Sequence, residues 1–258
     1  MTFCLGINVR EGLVGIADTR VISGNENISA RKLSVFHQGD DVFFLMTSGL
    51  RSIRDKTVTY LEEELRGRDE PFDRLFKAVN AFAAQVRRVA AEDGEALAKG
   101  GLPFNIHALI GGQLADDPEP KLYLVYPQAN WVEVGEATPY QIIGAAGYGK
   151  PVLDRTLEYT DSMQFALKVG CLAFDSTRIS AADVDFPIDV VLYFAETRTL
   201  VTRRFEQEDL VEISDGWQER LRNSVASLPS SWLDRFWSEI GEGRDGLPLE
   251  VGVTRGGL

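Results

Sequence analysis

The second residue of the chain, Thr2, can do chemistry if the initiator Met1 is removed. Removal would place a hydroxyl group and a free α-amine on one residue, which could then act as both nucleophile and base. Three further groups lie where strands are predicted to begin or end: the carboxylate of Asp18, the ammonium of Lys32 and the backbone amide of Gly49. A nucleophile, an acid, a cation and an amide donor therefore each lie at a strand end.

The elements that must position these groups are four predicted strands. Residues 2–9 and 12–18 form a candidate hairpin, turned at 10–12, where Gly12 can adopt a positive φ at little cost. This hairpin would bring Asp18 back beside Thr2. A third strand over 31–36 begins with cations, and a buried fourth strand over 42–49 ends in a polar glycine turn.

This order of groups resembles the β-subunits of proteasomes, which are N-terminal-nucleophile hydrolases. The resemblance rests on Thr2, Ala17-Asp18-Thr19-Arg20, Lys32 and Ser48-Gly49. Later segments resemble the bacterial branch of that family called Anbu, the ancestral β-subunit. These segments are 143–144, 148–155, 174–180 and 183–193.

The resemblance implies a role for each group. The Thr2 hydroxyl would attack a carbonyl carbon while the α-amine takes the proton, and Lys32 would stabilise the alkoxide-like oxygen. Asp18 would orient Lys32 and keep it charged, and the N–H of Gly49 would donate to the developing oxyanion. Each residue also has a simpler reading: a surface lysine for Lys32, an Asx turn for Asp18 and an ordinary strand-to-helix turn for Gly49.

The chain departs from the wider proteasome pattern at two places. Ala145 and Ala146 stand where a serine usually supports the terminal amine, so a serine at position 145 is expected to speed acylation. The alternative is that another group, such as Ser180, holds the amine. An aspartate and a serine expected near the nucleophile have a different spacing here, and Asp175 and Ser180 are carried over as supporting residues.

The order of predicted elements indicates the fold. Strands, two helices, strands, two helices and strands, without parallel βαβ alternation, predict an α+β protein: an αββα four-layer sandwich of two antiparallel sheets covered by helices. The later strands are expected at 105–112, 121–126, 131–134, 140–143, 188–195 and 199–205. Helices are expected at 52–65, 71–91, 150–158, 162–175, 209–226 and 230–240, with a loop over 94–101. A single domain is predicted over 1–242, followed by a C-terminal tail over 243–258 that could contact another subunit.

Composition excludes several classes of function. The net charge of −12 argues against nucleic acid and anionic membranes as partners, because both need a basic footprint. No apolar run approaches the length of a membrane span, and the absence of a secretory signal predicts a cytoplasmic protein. Cys4 and Cys171 are expected to be reduced core thiols. His37 and His107 have no ligand spacing around them, so neither a metal nor a cofactor is expected.

Three functions remain open from the sequence. The first is a threonine hydrolase that cleaves peptide or other amide bonds inside a self-assembled ring or spiral of identical subunits. The second is a proteasome-like subunit that serves mainly in assembly or binding, which Ala145 favours. The third is a small-molecule amidase on the same fold, with Met46 and Thr47 as candidates for the lining of its pocket. An ATPase or other regulator stays open as a further partner.

Overall fold

The computed structural model of the chain describes residues 2–23, 26–39, 41–234 and 237–238. The strands of these residues are β1 (Phe3–Val9), β2 (Gly12–Asp18), β3 (Arg20–Ser23), β4 (Glu26–Ser29), β5 (Leu33–Gln38), β6 (Asp41–Gly49), β7 (Ile106–Gln113), β8 (Lys121–Val125), β9 (Trp131–Glu133), β10 (Tyr140–Gly144), β11 (Ile188–Phe194) and β12 (Thr199–Phe205). The helices are α1 (Arg51–Arg66), α2 (Leu75–Lys99), α3 (Lys150–Thr156), α4 (Met163–Ser180) and α5 (Gln207–Ser227), with a short 3-10 turn at Ser231–Leu233.

The strands form two five-stranded antiparallel sheets. The first sheet has the order β10-β1-β2-β11-β12 and the second has the order β5-β6-β7-β8-β9. Strands β1 and β2 are almost continuously buried, because both faces of their sheet are covered. Their sequences are accordingly apolar throughout rather than alternating.

The two sheets and the two groups of helices form four layers, and an apolar cluster lies between each pair of neighbouring layers. Leu13, Phe44 and Leu109 belong to a cluster formed by the facing sides of the two sheets. The outer side of the first sheet packs on α3 and α4 through residues such as Phe174. The outer side of the second sheet packs on α1 and α2 through residues such as Phe82. This is the predicted αββα sandwich, and the fold prediction is confirmed.

Two details of the prediction were wrong. The sequence reading missed the small hairpin of β3 and β4, which pairs Arg20 with Ser29 directly after the Asp18 strand. The loop predicted over 94–101 is helical as far as Lys99, because α2 continues through Gly94. A glycine inside a helix costs about 1 kcal/mol relative to alanine. The alanine, leucine, glutamate and lysine residues around Gly94 favour the helix strongly enough to outweigh that cost.

The chain divides into two compact units, Met1–Ser214 and Asp215–Leu258. The candidate site residues all belong to the first unit. The predicted tail over 243–258 lies outside the described residues, as does part of the helix predicted over 230–240. In the part of the chain that is described, no helix combines the length and apolar character that crossing a membrane requires.

Candidate active site

Asp18 is the centre of the candidate site, and strand pairing places it there. The register of β1 and β2 pairs Cys4 with Ala17, so the next position along brings Asp18 beside Phe3. The Phe3 N–H donates to Asp18 Oδ1 over 2.8 Å. On its other side Asp18 pairs with Ile188 of β11, and its side chain is fully buried. The carboxylate thus holds the peptide group that follows the candidate nucleophile.

Lys32 reaches the same carboxylate from the second sheet. It lies just before β5, where its carbonyl accepts a hydrogen bond of 3.1 Å from the N–H of Thr47. Its Nζ donates to Asp18 Oδ1 over 2.7 Å and to the carbonyl of Arg20 over 2.7 Å. Only 2% of the Lys32 side chain is exposed. The ammonium and the Phe3 N–H therefore share a single acceptor atom, so the cation lies close to the start of β1.

The environment of Asp18 shifts its ionisation. Burial raises the pKa of this carboxyl from its usual value near 3.8 to about 6, although the Lys32 ammonium and the Phe3 N–H both act to lower it. The second oxygen, Oδ2, is buried and has no hydrogen-bond partner among the described residues. An unsolvated carboxylate oxygen disfavours the charged form, which agrees with the raised pKa.

Thr2 is held by its backbone between two strands. The Ala145 N–H donates to the Thr2 carbonyl over 2.7 Å, and Thr2 itself is only 8% exposed. Gly144 has φ +92°, and a Cβ at this position would lie 1.8 Å from the Thr2 carbonyl oxygen. Ser48 Oγ lies 3.3 Å from the same point. Only glycine fits at 144, and the Thr2-Phe3 peptide group is fixed at both its oxygen and its nitrogen.

Gly49 ends β6 in a conformation that favours glycine. Its φ is +128°, and an added Cβ would lie 2.2 Å from the carbonyl oxygen of Asn105. That oxygen accepts a hydrogen bond of 2.9 Å from the N–H of Leu50, where the chain turns into α1. A side chain at position 49 would break this turn. The residue itself is exposed, in contrast to the buried strand before it.

The other predicted residues lie in different surroundings. Asp175 accepts hydrogen bonds from Arg178 at 2.8 Å and from the Ser214 hydroxyl at 2.9 Å, so its two oxygens are already used. Ser180 is exposed at the last position of α4, and its hydroxyl makes no hydrogen bond within the described residues. Ala145 is buried in the core between the first sheet and its helices. Its backbone N–H is the group that binds the Thr2 carbonyl.

Neither cysteine is an alternative nucleophile. Both are buried, and burial raises the pKa of the Cys4 thiol far above its usual value and that of Cys171 to about 12. Thiolates, not thiols, are the reactive species. Among the described residues, no cluster of histidine, cysteine or acidic side chains could hold a metal ion. Partial burial lowers the pKa of His107, which packs edge-on against Tyr126.

A cavity of about 230 Å³ borders Lys32. Thr47 lines it as expected, whereas Met46 lies in the core between the two sheets and does not. The other lining side chains include Arg31 and Arg54, the latter bound to Asp55 at 2.6 Å. The space beside Lys32 is therefore polar and rich in positive charge.

The fold of the chain is similar to that of several proteins of known structure. The sequence matches no family model and no curated protein. Among solved structures it is similar to an Anbu mutant from Hyphomicrobium, at 29% identity and a TM-score of 0.81, covering 89% of this chain and 99% of that one. It is also similar to Anbu from Yersinia bercovieri, at 26% identity and a TM-score of 0.81, covering 88% and 98%.

A third similar structure is a helical assembly of the Anbu complex from Pseudomonas aeruginosa. Identity is 28% and the TM-score is 0.82, and the alignment covers 88% of this chain and 97% of that one. The matches thus extend over nearly the full length of each Anbu chain. The similarity is consistent in fold and coverage across three organisms. The predicted resemblance is therefore confirmed: the chain has the proteasome-like fold of the Anbu proteins.

Proposed function

We propose that the chain is a threonine N-terminal-nucleophile hydrolase that cleaves peptide or other amide bonds, with Thr2 as nucleophile after removal of Met1. It acts within a particle assembled from copies of itself, in line with the helical assembly of the Anbu complex from Pseudomonas aeruginosa. Asp18, Lys32 and Gly49 complete the catalytic group.

The observation that carries this proposal is the buried ion pair of Lys32 and Asp18 beside the start of β1. The two side chains are 2% and 0% exposed, and their charged atoms lie 2.7 Å apart. Burying two charges costs several kcal/mol per ion, and apolar residues at such positions often give equal or greater stability. A pair that adds little stability, with one carboxylate oxygen left unpartnered, favours a chemical role over a structural one.

The reaction follows from these positions. The Thr2 hydroxyl attacks the substrate carbonyl and its proton passes to the α-amine, whose pKa is ordinarily about 8. The Lys32 ammonium stabilises the negative oxygen of Thr2 and favours the neutral amine. The Gly49 N–H donates to the oxyanion of the substrate. The amine nitrogen of the cleaved bond leaves with a proton, and water then hydrolyses the ester on Thr2.

A subunit with a silent site is the second candidate. It is favoured by the burial of Ala145, which leaves no side-chain hydroxyl at this position, and by the low exposure of Thr2. An amidase acting on small molecules would use the same residues and differ only in what fits beside Lys32. Covalent labelling separates an active site from a silent one, and a comparison of peptide and small amide substrates separates the two kinds of hydrolase.

The test is labelling with a β-lactone, followed by intact-mass spectrometry. Protein made in a bacterial cytoplasm should lack Met1 and gain the mass of one acyl group, and Thr2→Ala should gain none. Thr57→Ala is a matched control, since Thr57 is a buried threonine on α1 whose hydroxyl donates to the Ile53 carbonyl over 2.7 Å. This control should label as the unmodified sequence does. Labelling of Thr2→Ala, or turnover by protein that retains Met1, would refute the proposal.

A further inference from the structure

A second and larger cavity, of about 620 Å³, opens between the two sheets. Its walls are β5 and β12, each the outermost strand of its own sheet. Such edge strands have one side without a strand partner, where backbone N–H and C=O groups can pair with another chain. We call this cavity the edge groove.

The floor of the edge groove is apolar. Leu33, Val42, Val35 and Leu200 line it, and all four pack against the core between the sheets. By contrast, β12 is at least partly exposed at every position, although it runs beside the mostly buried β11. A largely exposed edge strand next to an apolar floor is suited to receive a further segment of chain.

The rim of the edge groove is strongly positive. Four arginines line it against one aspartate: Arg31, Arg198, Arg203, Arg204 and Asp189. Arg204 is paired with Asp189 through hydrogen bonds of 2.8 Å and 3.0 Å. Arg198 donates to the carbonyls of Leu114 and Asp117, at 3.2 Å and 3.3 Å. These contacts fix two guanidinium groups in place before any ligand arrives.

The remaining two arginines are available for a ligand. Arg31 and Arg203 are exposed, and neither side chain has a hydrogen bond or an ion pair in the described part of the chain. The Arg203 guanidinium lies 5.3 Å from the centre of the Phe205 ring, a contact that leaves its N–H groups to bind a ligand. This concentration of positive charge stands out in a chain with a net charge of −12. Guanidinium groups bind carboxylates through paired hydrogen bonds, so the rim is complementary to acidic side chains.

The edge groove lies next to the cavity that borders Lys32. Arg31 lines both this cavity and the smaller one that contains Lys32 and Thr47. A chain lying in the edge groove and continuing past Arg31 would therefore lead toward Lys32. An occupant with alternating side chains would place apolar groups on the floor and carboxylates at the rim, as an extended strand does.

We propose that the edge groove is a docking site for acidic polypeptide segments in an extended conformation. As a substrate site it rests on the hydrolase function proposed above, and it adds the substrate class: chains in which acidic and apolar residues alternate. Binding itself needs no chemistry at Thr2. The two proposals can therefore fail separately.

The experiment measures binding to the full-length Thr2→Ala variant by fluorescence anisotropy. Three labelled nine-residue peptides are compared, in which valine alternates with glutamate, glutamine or lysine. The glutamate peptide should bind at least about tenfold more tightly than the other two, which is about 1.4 kcal/mol. Its affinity should fall as salt is raised, because the rim charges are exposed.

Two charge reversals locate the site. Arg31→Glu and Arg203→Glu should each weaken binding of the glutamate peptide about tenfold, which corresponds to about 1.4 kcal/mol. Neither substitution removes a hydrogen bond within the described residues, so folding should be preserved. Arg222→Glu is the matched control, because Arg222 is exposed on α5 and does not line the edge groove. It makes the same change in net charge and should bind as the parent does.

Three results would overturn the proposal. One is equal binding of the glutamate and glutamine peptides, and another is equal weakening by Arg203→Glu and Arg222→Glu. The third is a change of assembly size on Arg203→Glu, measured by sedimentation, together with no peptide binding by the parent. That result would make the edge groove an interface between copies of the chain. Normal β-lactone labelling of the chain that retains Thr2 would, in each of these cases, leave the hydrolase proposal standing.

Discussion

Substitution of Asp18 by asparagine should remove one pH dependence from the reaction. The substitution keeps the shape of the side chain and mimics its protonated form permanently. In the parent protein, burial raises the pKa of Asp18 to about 6. Below that pH the carboxyl is mostly neutral and no longer supports the charge and position of Lys32. Above it the carboxylate and the ammonium form the pair that the reaction needs, so activity should rise with pH.

The size of the effect follows from the fraction of Asp18 that is ionised. With a pKa of about 6, this fraction rises from about 0.1 at pH 5 to about 0.9 at pH 7. The ratio of the parent rate to the Asp18→Asn rate should therefore rise about tenfold across this range. Between pH 5 and pH 7 both proteins lie below the pKa of about 8 that an α-amine ordinarily has, so a change in that pKa on substitution multiplies the ratio by a constant factor. With an unshifted carboxyl pKa of about 3.9, the same ratio would change by less than about 10%.

The assay is the second-order rate of β-lactone labelling, followed by intact mass at several pH values. Asp175→Asn serves as a control, because Asp175 is also a buried carboxylate but binds Arg178 and Ser214. Its ratio to the parent should stay constant with pH. A constant ratio for Asp18→Asn from pH 5 to pH 7 would show that Asp18 does not titrate in this range, and the argument from its burial would be wrong.

Three further predictions concern the backbone around Thr2 and the assembly. Gly144→Ala should slow labelling by on the order of 100-fold, because the Thr2 carbonyl must move to make room for the added Cβ. Gly101 is the control, because it has a similar φ of +73° but open space around it, and Gly101→Ala should not change the labelling rate. Ala145→Ser should leave the labelling rate unchanged. It should lower the free energy of unfolding by about 1–3 kcal/mol, because the added hydroxyl would lie in an apolar core. Ser180→Ala should change neither the labelling rate nor the free energy of unfolding. A severalfold faster reaction of Ala145→Ser would show instead that position 145 reaches the amine. Sedimentation should find an assembly much larger than a monomer for both the parent and Thr2→Ala, and a monomer at all concentrations would count against a self-assembled particle.

Much of the candidate site could be predicted because its side chains follow strand ends. The hairpin of β1 and β2 requires a short turn, and a short turn fixes which residues lie opposite one another, so Asp18 beside residue 2 is readable from the sequence. Lys32 could be placed only through the resemblance, because its neighbours belong to the other sheet. No local pattern reports a contact between two sheets.

The parts that were missed depend on backbone groups. The carbonyl of Arg20 and the amide of Ala145 could belong to any residue type, so neither leaves a mark in the sequence. Gly144 is recognisable in the sequence, because a glycine at the end of a strand indicates that another backbone approaches closely. The β3 and β4 hairpin was missed because four-residue strands are too short for a reliable alternation of apolar and polar residues.

The hydrogen bonds that hold the Thr2-Phe3 peptide group bear on whether Met1 can be removed before or after folding. An aminopeptidase that removes Met1 has to bind the residues on both sides of the bond it cuts. In the folded chain the carbonyl of Thr2 is already bound to Ala145, and the next N–H is bound to Asp18. The proposed removal of Met1 and folding would thus compete for the same backbone groups. We expect Met1 to be removed most readily while the chain emerges from the ribosome, and a chain that folds first to retain it.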